Sequence, residues 1–415
     1  MRRLPFAIVG LLVAACSGGS GLPGSPPPPS LSVTVDPGPG TLAASGQAAA
    51  NILYATITVC TPGSTTQCQD VDHVQVDTGS TGLRLVHEAL SGVATPTPVL
   101  DPPSGLPIFE CAVFADGYTW GSVVRADLVI AGRRIPGVAL EVIGDPAAGT
   151  APEECSGGSG PDEGTVAALG ANGILGVGVF LQDCGPFCAT QVPASGAAPY
   201  EVCSGAGTAG ASCTPTTVAV EQQVSNPVGL LSSENNGLQI QLPLPASPGA
   251  VSVTGTLVLG LETSDGNSLG SATLLRTDPG TGTLTTTYGG QSLDQSVIDS
   301  GSSAYYFPDS SIAVCAGSDP GDGFYCPTTA LPGSATITGG NGAQSPVSFT
   351  VANANDLFRE GPSDSAFPDL AGPLPGSALS GRTFDWGLPF HFGRTVSIVF
   401  EQRTAGAVTG PAMGF

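Results

Sequence analysis

The chain has 415 residues, 41% of them hydrophobic but only 11% charged and 6% aromatic, with 60 Gly and 38 Pro. That much Gly and Pro excludes long helices, a coiled coil or a helical bundle; it fits an all-β protein of short strands, long enough for one large domain or two lobes. All 11 basic residues are Arg against 33 Asp and Glu, a formal charge of −22, so nucleic-acid binding is excluded for want of a positive footprint.

The chain opens with Met1-Arg2-Arg3, an apolar run from Leu4 to Ala15, and Cys16. The run is too short to span a bilayer and has the layout of an export signal. Leu12-Val13-Ala14-Ala15-Cys16 resembles a bacterial lipobox, which implies that Cys16 is acylated and becomes the N-terminus. An ordinary signal peptide cut nearby, leaving a free Cys16, is the alternative. Residues 1–16 are therefore expected to be signal and lipobox, and 17–45 a Gly/Ser/Pro-rich tether. Ser17 rather than Asp follows the Cys. This suggests an outer-membrane lipoprotein facing the periplasm or the cell surface, if the host is Gram-negative.

Setting aside Cys16, an even number of Cys remains, suited to five disulfides in an oxidising compartment. Sequence alone leaves connectivity open. Local pairing suggests Cys60–Cys68, Cys184–Cys188, Cys203–Cys213 and Cys315–Cys326, with Cys111–Cys155 left over. Cys184 and Cys188 have metal-ligand spacing, but no Cys or His cluster lies near them and His73, His87 and His391 are scattered. No metal site is predicted.

Strand signals run from Leu53 to the C-terminus. Tyr54 to Val59, Val347 to Val351 and Thr395 to Phe400 alternate apolar with small or polar residues, as half-buried strands do. Segments near 91–107, 150–165, 185–215 and 355–380 read as loops.

Within this pattern lies an internal repeat. Asp72-His73-Val74-Gln75-Val76-Asp77-Thr78-Gly79-Ser80-Thr81 lies over Asp294-Gln295-Ser296-Val297-Ile298-Asp299-Ser300-Gly301-Ser302-Ser303. Each copy has a downstream partner ending in Gly: Gly173-Ile174-Leu175-Gly176 for the first and, interrupted by Asp385, Phe384-Asp385-Trp386-Gly387 for the second. One Asp-Thr-Gly-Ser is a weak signal and taken alone reads as a turn. Two copies with their own partners are a strong one.

On these residues the chain, from about 50 to 415, resembles the pepsin-like aspartic proteases. More closely, it looks like a family of bacterial lipoproteins of unknown function that keeps both motifs. Tyr118-Thr119-Trp120-Gly121-Ser122 resembles the Tyr-x-x-Gly-Ser of the hairpin flap that closes over substrate. Gly255 to Gly260 resembles the Gly-x-Leu-x-Leu-Gly strand near the lobe junction. Trp386 to Phe390, followed by Val396 to Phe400, resembles the closing segment. The resemblance implies an all-β, two-lobed fold with a pseudo-twofold repeat, an N-terminal lobe at 46–262 and a C-terminal lobe at 263–415. It implies a catalytic pair, Asp77 and Asp299, one from each lobe. Thr78 and Ser300 would reach across to the opposite lobe, and Ser80 and Ser302 would hydrogen-bond the outer carboxylate oxygens. Gly79 and Gly301 would let the backbone turn with amides facing the acids, while Tyr118, Gly121 and Ser122 would form the flap.

Peptide hydrolysis needs an activated water and a delivered proton. Two carboxyls within hydrogen-bond reach cannot both ionise cheaply, so they share one proton, a coupling already established for the aspartic proteases. The expected activity is endopeptidase cleavage of extended polypeptide by a monomer without metal or cofactor. A non-catalytic envelope protein using the same cleft to bind peptide or glycan is the rival reading. Departures from the family are specific. Arg84 stands where the family usually has a Trp that supports the flap Tyr; it is expected to donate to Tyr118 or pair with Asp116 and to depress the dyad pKa. The separation of 222 positions between the two Asp implies insertions, and residues 17 to 50 contain no basic prosegment.

Overall fold

The structure, a computed structural model, describes residues 27–44, 48–157, 160–193, 197–208, 211–374 and 381–415. The expected signal, Cys16 and tether residues 17–26 and 45 lie outside the described residues.

Alternation sets the strands. In Leu53–Cys60 the residues Leu53, Ala55, Ile57 and Val59 all enter the main hydrophobic core, while Thr56 is exposed and Thr58 half-buried. The same logic corrects the expected extent of the tether. Ser30–Val35 is a strand, with Val33 and Val35 fully buried, hydrogen-bonded between Leu53–Cys60 and Val253–Leu259. Its Leu-Ser-Val-Thr-Val alternation is short and flanked by Pro and Gly, which hid it in a segment that reads as linker.

Val253–Leu259 pairs in turn with Gly237–Leu242, and that strand with Arg394–Val399. One sheet is thus continuous across the expected lobe junction near residue 262. A second sheet of seven strands lies wholly between Leu284 and Trp386. Beneath it Phe307, Phe384 and Trp386 stack, with ring centroids 4.8 Å and 4.0 Å apart in turn. The indole N–H of Trp386 donates to Thr286 Oγ1 at 3.0 Å, so the largest buried side chain leaves no polar atom unpaired.

The repeat seen in the sequence is also a repeat in space. Cys68–Asp77 leads into a loop and then Thr81–Val86; Gly173–Val177 inserts between them, parallel to the first, with Gly176 opposite Asp77, and antiparallel to the second. In the second half Gln291–Ile298 leads into Asp299. Asp385–Trp386 pairs parallel with it, with Asp385 opposite Val297, and antiparallel with Tyr305–Tyr306. Each acid therefore leaves the end of a strand whose neighbour is the downstream Gly-ended segment, and that neighbour braces the loop from behind.

Polar contacts join the halves. The amide nitrogen of buried Asn51 donates to the carbonyls of Ser303 and Phe367 at 2.8 and 2.9 Å, and its oxygen accepts from the Phe367 N–H at 2.7 Å. Five disulfides form: Cys60–Cys68, Cys111–Cys155, Cys184–Cys188, Cys203–Cys213 and Cys315–Cys326. Such a density suits an oxidising compartment. Among the described residues no helix is long and apolar enough to cross a membrane.

Candidate active site

The two Asp loops meet face to face. The backbone N–H of Thr78 donates to Ser300 Oγ at 3.1 Å, and that of Ser300 donates to Thr78 Oγ1 at 2.9 Å. Each hydroxyl then donates onward into the opposite half, Thr78 to the Ile298 carbonyl at 3.0 Å and Ser300 to the Val76 carbonyl at 2.7 Å. Both side chains are buried, so this closed set of four bonds fixes the loops relative to each other.

Within each loop the carboxylate is cradled in the same way. The Gly79 N–H donates to Asp77 Oδ1 at 2.7 Å and the Gly301 N–H to Asp299 Oδ1 at 2.7 Å. Ser80 Oγ donates to Asp77 Oδ2, and Ser302 Oγ lies 2.9 Å from Asp299 Oδ2. The glycines have a further reason to be glycine. A Cβ on Gly79 would lie 2.5 Å from Asp299 Cγ, and one on Gly301 would lie 2.6 Å from Asp77 Cγ. Close approach of each loop to the opposite acid, rather than backbone twist, excludes a side chain there.

Asp77 is 7% exposed and Asp299 half-buried. Burial, then the charge of Asp77, then that of Asp385 push the Asp299 carboxyl well above the usual carboxylate range. The pair thus keeps a proton where an isolated Asp would have lost it.

A third acid joins them. Asp385 Oδ2 lies 2.5 Å from the same Ser302 Oγ that contacts Asp299. One hydroxyl carries one hydrogen and cannot donate to both. Burial, reinforced by Asp77, raises Asp385 to about 8 against the opposing bond from Ser302, so below that pH Asp385 holds a proton of its own. The chain of donation then runs from Asp385 to Ser302 to Asp299. Asp385 is visible in the sequence only as an interruption of an apolar run.

The hairpin over the site differs from expectation. Its strands are Ile108–Val113 and Tyr118–Ile130, with Val113 opposite Tyr118 and the turn closed by the Phe114 N–H on the Gly117 carbonyl at 2.8 Å. Phe114 and Ala115 line the cleft beside Asp77, Asp299 and Asp385. Tyr118 instead lies just past the turn, 7% exposed, packed with Phe109, Trp120 and the Cys111–Cys155 disulfide. Gly121 and Ser122 continue within the strand, where the Ser122 hydroxyl donates to Asp145 at 2.6 Å. The hairpin is where the resemblance placed it, but its cleft-facing residues are Phe114 and Ala115. The Asp116-Gly117 dipeptide between two apolar runs marks that turn.

Arg84 also departs from expectation, for it bonds neither Tyr118 nor Asp116. At 3% exposure it donates to Glu110 at 2.6 and 3.1 Å, lies 3.3 Å from Glu141 and 3.8 Å from Asp183. Its guanidinium stands 5.8 Å from the Phe114 ring centroid, so the cation supports the cleft-facing aromatic by its face rather than by a hydrogen bond. Three carboxyls surround one cation. Burial lifts Glu110 and Glu141 to about 7 each and raises Asp183 well above its usual range. The positive charge is thereby consumed locally, and the expected depression of the dyad by Arg84 gives way to the rise seen at Asp299.

This architecture is that of a two-lobed, all-β, pepsin-like protein. The structure is similar to the crystal structure of the aspartic proteinase from Irpex lacteus, with a TM-score of 0.52 and 16% sequence identity, over 93% of this chain and 96% of that one. The likeness is one of fold. The chain belongs to the family described as Protein of unknown function (DUF3443), whose model matches residues 29–415 and so begins next to the strand at Ser30. No curated protein matches it.

Proposed function

We propose that this protein is an aspartic endopeptidase, carried on a cell envelope by a lipid on Cys16, acting as a monomer on extended polypeptide. Asp77 and Asp299 share one proton. The ionised member takes a proton from a water held between them while the protonated member donates to the scissile carbonyl; the resulting tetrahedral adduct collapses as a proton passes to the leaving nitrogen. Thr78 and Ser300 keep the two loops in register, Ser80 and Ser302 hold the outer oxygens, and the hairpin tip at Phe114 covers the bound chain.

One observation carries this reading: each loop glycine sits against the carboxyl of the opposite acid, so the two acids share one groove. A structural role for both tetrapeptides as separate turns does not account for that juxtaposition. The rival reading, a peptide- or glycan-binding protein on the same scaffold, leaves unexplained why all four loop hydroxyls are kept. Cleavage of a denatured protein at acid pH, blocked by a statine-type peptide, is the expected result. A clean preparation that binds the inhibitor but leaves the protein intact at every pH would favour the binder. Envelope anchoring predicts that Cys16→Ser moves the protein from the detergent phase to the aqueous phase; unchanged partitioning would remove the lipid from the account.

A further inference from the structure

Asp385 has a second oxygen that the dyad does not use. Its Oδ2 meets Ser302, whereas Oδ1 is buried without any hydrogen-bond partner, on a residue only 7% exposed. An orphaned buried acceptor is costly unless something fills it. The residue stands where two compartments of the cleft meet, one extending toward Phe180 and Asp278, the other toward Glu163 and Tyr306.

Both compartments are short of positive charge. Arg84 is engaged by Glu110 and its neighbours, and Arg382 is bound through two nitrogens to Asp294, at 2.8 and 2.5 Å. Asp278, exposed on the first wall, and Glu163, half-buried on the second, face the cleft and form no ion pair among the described residues. Crowding by Asp116 and Asp162 adds to burial in lifting Glu163 to about 7, the response of an acid that lacks a counter-charge.

We propose that Asp385 is the specificity-determining residue of the cleft, and that its carboxylate, which borders both compartments, receives the ammonium or guanidinium of a Lys or Arg next to the scissile bond. The substrates are then basic polypeptides. This rests on the endopeptidase reading for the word scissile, but the recognition itself needs no chemistry. Position gives the register: Asp385 is one hydroxyl away from Asp299, so the side chain it meets flanks the bond that the dyad addresses. An arriving cation replaces the proton that Asp385 otherwise keeps, which turns a poorly satisfied acid into an ion pair closed off from water.

The test is binding, read by fluorescence anisotropy on the whole exported protein. The probes are labelled statine-type peptides with Lys on one side or the other of the statine unit, each against a norleucine twin of the same length. The wild type is expected to bind one of the Lys peptides at least tenfold tighter than its twin. Asp385→Leu, and Asp385→Asn should the apolar variant fail to fold, are expected to bring that ratio within about twofold of one. Because the readout is a ratio, general weakening of the cleft cancels. Equal affinities in the wild type, binding of neither peptide, or a ratio retained in the variants would overturn the proposal. The corresponding unmodified peptides separate the two readings: a Lys preference without cleavage keeps the subsite and removes the peptidase, and cleavage without the preference does the reverse.

Discussion

Thr78 and Ser300, 222 residues apart, each accept a hydrogen bond from the other's backbone N–H, at 2.9 and 3.1 Å. Neither bond can form unless both loops are in place, so the pair couples the two halves at the point where the acids meet. Thr78→Val or Ser300→Ala leaves one buried N–H without an acceptor, which costs about 1–3 kcal/mol. The double variant is expected to lose less than the sum of the singles, because once one bond between the loops is gone they can shift apart and the other is already weakened. Denaturant unfolding of the four proteins measures this; strict additivity would show that the loops are held independently.

Arg84 is the cation on which the wall behind the hairpin depends. Arg84→Met keeps the volume but leaves Glu110, Glu141 and Asp183 buried together without a counter-charge, a change expected to cost about 3–5 kcal/mol near neutral pH. The loss shrinks in acid, where the three carboxyls hold protons. Thermal melts at pH 4.5 and pH 7.5 check this, and an equal loss at both would mean that Arg84 acts by packing alone.

Stability as a whole tilts toward acid. Glu110, Glu141, Glu163 and Glu201 are raised to about 7 and Asp385 to about 8, chiefly by burial. Unfolded, these groups release their protons near pH 4. Above that pH the folded chain keeps protons that the unfolded chain has lost, so stability falls as pH rises toward 8. His391, lowered to about 3 by burial and Arg394, opposes this between about 3 and 6.5, where only the unfolded chain takes up its proton. From pH 6.5 to 8 the acids act unopposed by it, and Tm is expected to drop by on the order of 5 °C. A Tm that rises across that interval would contradict the burial of these acids.

Ser302 links Asp385 to the dyad. Ser302→Ala removes the hydroxyl that stabilises ionised Asp299, so the acid limb of kcat/KM is expected to move to higher pH. A pH–rate profile unchanged by Ser302→Ala would place Asp385 outside the proton chain.

What the sequence discloses here is local. Asp77 to Ser80 and Asp299 to Ser302 are legible because the cradle around each acid is built from the next three residues. The five disulfides follow largely from proximity in the chain. Strand Ser30–Val35 is hidden by its Pro-rich surroundings, since its identity as a strand depends on partners at 53–60 and 253–259. Tyr118 matches a flap pattern by spelling, yet the hairpin turns at Asp116-Gly117 and presents Phe114 instead. The partners of Arg84 come from an adjacent strand, from Ile108–Val113 further across the sheet and from a distant loop, and the role of Asp385 depends on strand pairing with Val297. No spacing rule along the chain reports contacts of that kind.

The central claim is that Asp77 and Asp299 act as one proton-sharing pair. Cleavage of a denatured protein across pH 3 to 7 by the wild type, Asp77→Asn and Asp299→Asn tests it most directly. The account predicts activity in acid for the wild type and a loss of at least about a thousandfold in each variant, with near-native Tm in both. Acid-range cleavage that survives either substitution, in protein free of contaminating protease, would contradict it.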